Sequence, residues 1–220
     1  MKFFIDTANI EQIKEAKSLG ILDGVTTNPS LIAKEGIKGR QNVLKHYVEI
    51  CKIVQSDVSA EVISTDFEGM IREAEELANL DSHIVVKVPI IKDGLKAIKY
   101  LSDKGIRTNC TLVFSPGQAI LAAKAGATYL SPFVGRLDDI ASDGIELIAK
   151  IVNIYRYYGF ETQVLAASIR STQHIIQCAE VGADVITSPL DSILGLLKHP
   201  LTDSGVQKFL DDYYKTVGKE

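Results

Sequence analysis

The chain has 220 residues, 46% of them hydrophobic and 24% charged, with a formal net charge of −4. That composition is ordinary for a globular protein and is long enough to bury a large core without metals or disulfides. The acidic balance, with a pI of about 5.6, lacks the basic face or stripe that a nucleic-acid binder needs, so no nucleic-acid partner is expected.

The N-terminal segment MKFFIDTANIEQ has an apolar run too short for a signal peptide, interrupted by Asp6. No apolar stretch approaches the roughly 20 residues needed to span a bilayer, so no membrane partner is expected and the expected compartment is the cytoplasm. Cys51, Cys110 and Cys178 are odd in number and widely spaced, as reduced, buried thiols would be. His46, His83, His174 and His199 are scattered, and no Cys/His pair has zinc-ligand spacing, so no metal site is expected.

Short apolar runs alternate with helical patterns along the whole chain, without a linker, and predict one domain over residues 1–220. The first run is Phe3 to Ile5, followed by a helix over Ile10–Leu19. A weak second run lies near Ile21 to Thr26, before a helix over Gln41–Gln55. Val58 to Ile63 is the third, with a helix over Phe67–Asn79. Ile84 to Val88 is the fourth, with a helix over Gly94–Lys104. Ile106 to Phe114 contains the fifth, with a helix over Gly117–Ala125. Thr128 to Ser131 is the sixth, with a helix over Gly144–Tyr158. Gln163 to Ala167 is the seventh, with a helix over Thr172–Val181, and Asp184 to Thr187 is the eighth. Glycines 20, 105, 126, 159 and 182 sit where helices should stop. Eight strand–helix repeats point to an α/β fold of the (β/α)₈ TIM-barrel type, with Leu201 to Tyr214 as an extra C-terminal helix. An open doubly wound sheet is the alternative, but no glycine-rich dinucleotide fingerprint follows the first strand.

In such a barrel the chemistry sits where strands end. The strand ends here carry Asp6, the Thr26-Thr27-Asn28 group, Glu61, Lys87, Asn109 with Thr111, Ser131 followed by Phe133 and Arg136, Ser168 with Arg170, and Thr187 with Ser188. Lys87 lies between Val86 and Val88 in an apolar strand. Burying an ammonium is costly, and burial favours a neutral amine, which can attack a ketone to form an imine. A structural ion pair with Asp6 or Glu61, or a lysine reaching to water, is the alternative. The acids, hydroxyls, amides and arginines at the other strand ends favour chemistry. Asp6 and Glu61 are candidate acid/base groups. Arg136, Ser168 and Arg170 are candidates for gripping a phosphate; a surface salt bridge is the competing role of each arginine, with Asp138 and Asp139 close enough to Arg136 to serve it. Thr26, Thr27 and Asn28 suit either substrate hydroxyls or loop and helix-cap chemistry before Pro29.

FIDTAN at 4–9, GVTTNPSLI at 24–32, VVKVP at 85–89, TNCTLVFSPGQA at 108–119, SPFVGRLDD at 131–139 and AASIR at 166–170 together resemble the transaldolase family. The match is closest to its short-chain branch, which includes the fructose-6-phosphate aldolases. The resemblance implies that Lys87 is the Schiff-base lysine and Asp6 the proton-transfer aspartate. It makes Glu61 and Thr111 the pair that works through a catalytic water. Thr27, Asn28, Asn109, Ser131 and Phe133 would contact substrate, and Arg136, Ser168 and Arg170 its phosphate. The implied reaction, part of the pentose phosphate pathway, moves a dihydroxyacetone unit from a ketose phosphate to an aldose phosphate without cofactor or metal. Fructose-6-phosphate aldolases usually carry Gln at the position of Glu61 and Tyr at that of Phe133, so both residues point to transfer rather than release. A non-catalytic sugar-phosphate-binding barrel is the third possibility. Short-chain relatives form decamers of pentameric rings, so a homo-oligomer, pentamer or decamer, is implied.

Overall fold

A computed structural model describes residues 1–218; the last two residues of the expected domain lie outside them. In chain order it contains β1 (Lys2–Asp6), α1 (Ile10–Ser18), β2 (Gly24–Thr26), α2 (Pro29–Lys34), α3 (Arg40–Val54), β3 (Asp57–Glu61), α4 (Phe67–Ala78), β4 (Ile84–Pro89), α5 (Lys92–Asp103), β5 (Thr108–Val113) and α6 (Pro116–Lys124). There follow β6 (Tyr129–Pro132), α7 (Val134–Asp138), α8 (Gly144–Tyr158), β7 (Gln163–Ala166), α9 (Thr172–Glu180), β8 (Val185–Ser188), α10 (Leu190–Leu194) with a 3₁₀ turn at Gly195–Leu197, and α11 (Pro200–Val217).

The eight strands run parallel in sequence order and close, β1 pairing with β8. This is the expected (β/α)₈ barrel with an extra C-terminal helix. Strand alternation sorts side chains into two cores. Ile5, Val25, Val58, Ala60, Val86, Val88, Cys110, Leu130 and Ile186 point outward and pack under the helices. Phe4, Val85, Tyr129, Leu165, Ala167 and Val185 fill the barrel interior. The alternation places Lys87 on the inner face, two residues beyond Val85.

The N-terminal end of the barrel is closed by a polar cluster. Asp57 accepts hydrogen bonds from Arg107 (2.5 Å) and the Tyr129 hydroxyl (2.7 Å), and the Lys2 ammonium lies 5.9 Å from the centre of the Tyr129 ring. With that end filled, the polar residues at the C-terminal ends of the strands face the open mouth.

Local signals explain the elements. Asn9, Asn28, Asp66, Ser115, Asp143 and Ser171 cap helix N-termini by accepting backbone N–H bonds. Three helices that the periodicity does not announce, α2, α7 and α10, have only five or six residues, too few to display a repeat. The second strand is only Gly24–Thr26; just before it the Asp23 side chain accepts from the Phe3 N–H (2.8 Å) while the Asp23 N–H donates to the Phe3 carbonyl (2.9 Å). Cys51, Cys110 and Cys178 are free and buried, and burial pushes each thiol up to about 12. No described helix is long and apolar enough to cross a membrane.

Phe4 is 1% exposed and stacks edge-on against Tyr129, ring centres 5.8 Å apart. Phe4→Ala is expected to cost about 3–5 kcal/mol, measured as a lower urea midpoint; a loss below about 1 kcal/mol would mean that the interior layer is not well packed.

Candidate active site

A cavity of about 500 Å³ opens at the C-terminal ends of the strands. It is lined by Asp6, Asn28, Glu61, Lys87, Thr111, Ser131, Phe133, Arg136 and Ser168 among the residues expected from the sequence, together with Thr26, Ser30, Lys34, Leu112 and Thr187.

Lys87 is 6% exposed. The β3–β4 register sets it opposite Glu61, and the β4–β5 register opposite Asn109. Its ammonium lies 3.0 Å from Glu61 Oε2 and donates to the Thr27 carbonyl at 3.2 Å. The ion pair with Glu61 weighed as an alternative role is therefore present, and it sits inside the cavity. Buried ions of this kind persist only when paired and hydrogen-bonded.

Asp6 accepts from Thr26 Oγ1 at 2.7 Å. Burial pushes its carboxyl above the usual aspartate range, against the opposing effects of the Thr26 hydrogen bond and the charges of Lys87 and Lys34. Asn109 is fully buried: its amide donates to Ser59 Oγ (3.1 Å) and its carbonyl accepts from Ser131 (2.7 Å). Thr27 is also fully buried and donates to the Ser59 carbonyl at 2.8 Å. Neither side chain lines the cavity; both hold its wall. Asn28 does line it, while capping α2 through the Leu31 N–H (3.0 Å). The Thr111 hydroxyl is buried and has no hydrogen-bond partner among the described residues, an exception to the rule that buried polar groups pair.

Two site residues hold left-handed backbone, Leu112 at φ +61° and Ser168 at φ +59°. The pairing of β5 with β6 slips between Cys110 and Val113. That bulge is why consecutive residues, Thr111 and Leu112, both face the cavity where regular alternation would send one outward.

Arg136, in α7, places its guanidinium 4.9 Å from the centre of the Phe133 ring. Arg170 does not reach the cavity. Both ends of its guanidinium pair with the Asp139 carboxylate, so the surface pairing considered for this region has taken it. Its stem still packs on α7: a Cβ on Gly135 would fall 2.5 Å from the Ser168 carbonyl oxygen and 2.6 Å from Arg170 Nε. Only glycine lets the loop carrying Ser168 lie against the helix carrying Arg136. Lys34, Leu112 and Thr187 are cavity residues to which sequence reasoning gave no role. Thr187 was visible as a polar strand end; Lys34 and Leu112 carried no signal. Among the described residues no group of three or more His, Cys, Asp or Glu side chains is placed to hold a metal ion.

Residues 3–219 match the family model described as transaldolase/fructose-6-phosphate aldolase. A protein named "Probable transaldolase" from Phocaeicola vulgatus is 73% identical over 218 residues, covering 99% of this chain and 100% of the relative. Namesakes from Parabacteroides distasonis (74%) and Cytophaga hutchinsonii (71%) match over 218 residues, with the same coverage.

The raised Asp6 carboxyl has a consequence for stability. Between the unfolded aspartate value, about 3.9, and the higher folded value, the folded chain binds more protons than the unfolded one, so stability falls as pH rises through that window. Asp6→Asn is therefore expected to raise the thermal midpoint at pH 7, with the gain disappearing below about pH 4. Calorimetry across that range checks this; an equal gain at both ends would mean that the Asp6 charge is not its source.

Proposed function

The chain belongs to the transaldolase/fructose-6-phosphate aldolase family, and on that premise we propose that it is a transaldolase moving a three-carbon dihydroxyacetone unit between sugar phosphates through an imine on Lys87. The observation that carries this reading is the buried Lys87 amine facing the cavity, with a carboxylate 3.0 Å away to take its proton.

Once neutral, Nζ attacks the C2 carbonyl of a ketose phosphate; loss of water leaves the protonated imine. Asp6 then takes the proton of the C4 hydroxyl. The electrons of the C3–C4 bond move into the imine, and an aldose phosphate leaves, with the three-carbon fragment held on Lys87 as an enamine. The raised carboxyl of Asp6 suits a group that must both accept and return a proton. Addition of the fragment to a second aldose phosphate, with Asp6 returning its proton, and hydrolysis of the imine complete the transfer. Glu61 and the unpaired Thr111 hydroxyl can hold the water of the dehydration and hydrolysis steps. Asn28, Ser131 and, from the wall, Thr27 and Asn109 position the sugar hydroxyls and the groups that meet them.

Arg136 and Ser168 are the phosphate-binding residues in this reading, and Arg170 joins them only by leaving Asp139. Phe133 packs against Phe114, ring centres 5.5 Å apart, and presents no hydroxyl to protonate the bound fragment. That favours transfer to an acceptor over release of dihydroxyacetone. A cytoplasmic place in pentose phosphate metabolism follows from the same reading. So does a homo-oligomer of pentameric or decameric form: α11 buries no residue against the barrel and leaves Leu201, Phe209, Leu210 and Tyr213 exposed.

With fructose 6-phosphate as donor, turnover is expected to require an acceptor such as erythrose 4-phosphate. Free dihydroxyacetone produced as fast without acceptor would make the protein an aldolase instead. Arg136→Ala is expected to raise KM for phosphorylated sugars about 10- to 100-fold, the worth of a charged hydrogen bond, with a smaller effect on kcat; an unchanged KM would place the phosphate elsewhere.

A further inference from the structure

Thr187, the inward residue near the end of β8, is buried, and its hydroxyl lies 2.6 Å from Thr26 Oγ1. Thr26, also buried, lies 2.7 Å from Asp6 Oδ1 and donates to it. A threonine hydroxyl has one proton to give. When Asp6 is a carboxylate, that of Thr26 is committed to it, so Thr187 must be the donor to Thr26. The result is a directed chain from β8 through β2 to the carboxylate on β1. We propose that Thr187 is a positioning residue that, by donating to Thr26, strengthens the hydrogen bond on Asp6 and sets the pH at which Asp6 serves as a base. This rests on the reading of Asp6 as the proton acceptor in carbon–carbon cleavage.

The physical argument is cooperativity. A hydroxyl that accepts a hydrogen bond becomes a better donor, and the effect is strongest away from water. The charged groups facing Asp6 are Lys87 from β4 and Lys34 from α2; Glu61 from β3 pairs with Lys87. Their charges remain when Thr187 is changed, so the hydroxyl chain can be tested alone. A hydrogen bond to the charged form of a carboxyl lowers its pKa. Losing the Thr187 hydroxyl therefore lets Asp6 keep its proton to higher pH, and the acid side of the activity profile moves upward.

The test is kcat/KM for release of the aldose phosphate from fructose 6-phosphate, with erythrose 4-phosphate as acceptor, against pH, for wild type, Thr187→Val, Thr187→Ala and Thr187→Ser. The valine and alanine variants are expected to shift the acid limb up by roughly half to one pH unit, about a three- to tenfold loss below the midpoint. Activity on the alkaline side should be largely retained, and serine should restore the wild-type limb. Alanine carries the test if valine fails to fold. Hydroxyl-free variants that keep the wild-type limb would overturn the proposal, as would a serine variant shifted as far as valine. Absence of aldose phosphate from the wild type would instead overturn the transaldolase reading on which it rests.

Discussion

The pairing of Lys87 with Glu61 inside the barrel mouth is the interaction on which the rest of this structure depends. Each charge loses several kcal/mol of hydration on burial, of the order expected for ions inside proteins, and neither would be tolerated there alone. The parallel register between β3 and β4 puts them opposite one another, and the Thr27 carbonyl accepts a further hydrogen bond from the ammonium. A buried pair of this kind is weak evidence for stability. What it offers the proposed reaction is position: the amine is held at a fixed place, shielded from bulk water, with a carboxylate at hydrogen-bond distance.

The surrounding barrel serves that arrangement in two layers. Val85, Leu165, Val185 and Phe4 fill the interior, and the Asp57, Arg107 and Tyr129 cluster closes the N-terminal end. Above this packed floor the inward positions of several strands turn polar. The left-handed backbone at Leu112 and Ser168 and the close approach allowed by Gly135 lie in this upper layer. There the irregular backbone aims side chains at the cavity, as strained residues often do at such sites.

Much of this was legible in the sequence. The barrel followed from eight apolar runs separated by helical periodicity, and the site from asking which polar residues end those runs. Lys87 stood out because a cation between two valines has few structural uses. What escaped has physical causes. Five-residue helices such as α7 show no period. Thr27, just past β2, and Asn109, in β5, sit at the right strand ends, but their hydrogen bonds turn them into the wall rather than the cavity. Arg170 follows β7 as expected, yet its guanidinium goes to Asp139, a choice made by tertiary packing that no spacing reveals. Leu112 faces the cavity only because of a bulge. The family resemblance rested on motifs read in order, and they carried the loops that periodicity could not.

The central claim is that Lys87 becomes covalently bound to substrate. Borohydride reduction in the presence of fructose 6-phosphate, followed by peptide mass spectrometry, tests it directly. The expected result is a stable adduct on Lys87, absent from Lys87→Met, a variant whose fold is checked by circular dichroism because it leaves Glu61 buried without its partner. An unmodified Lys87, or an adduct on a different lysine, would contradict the account and leave Lys87 as a structural partner of Glu61.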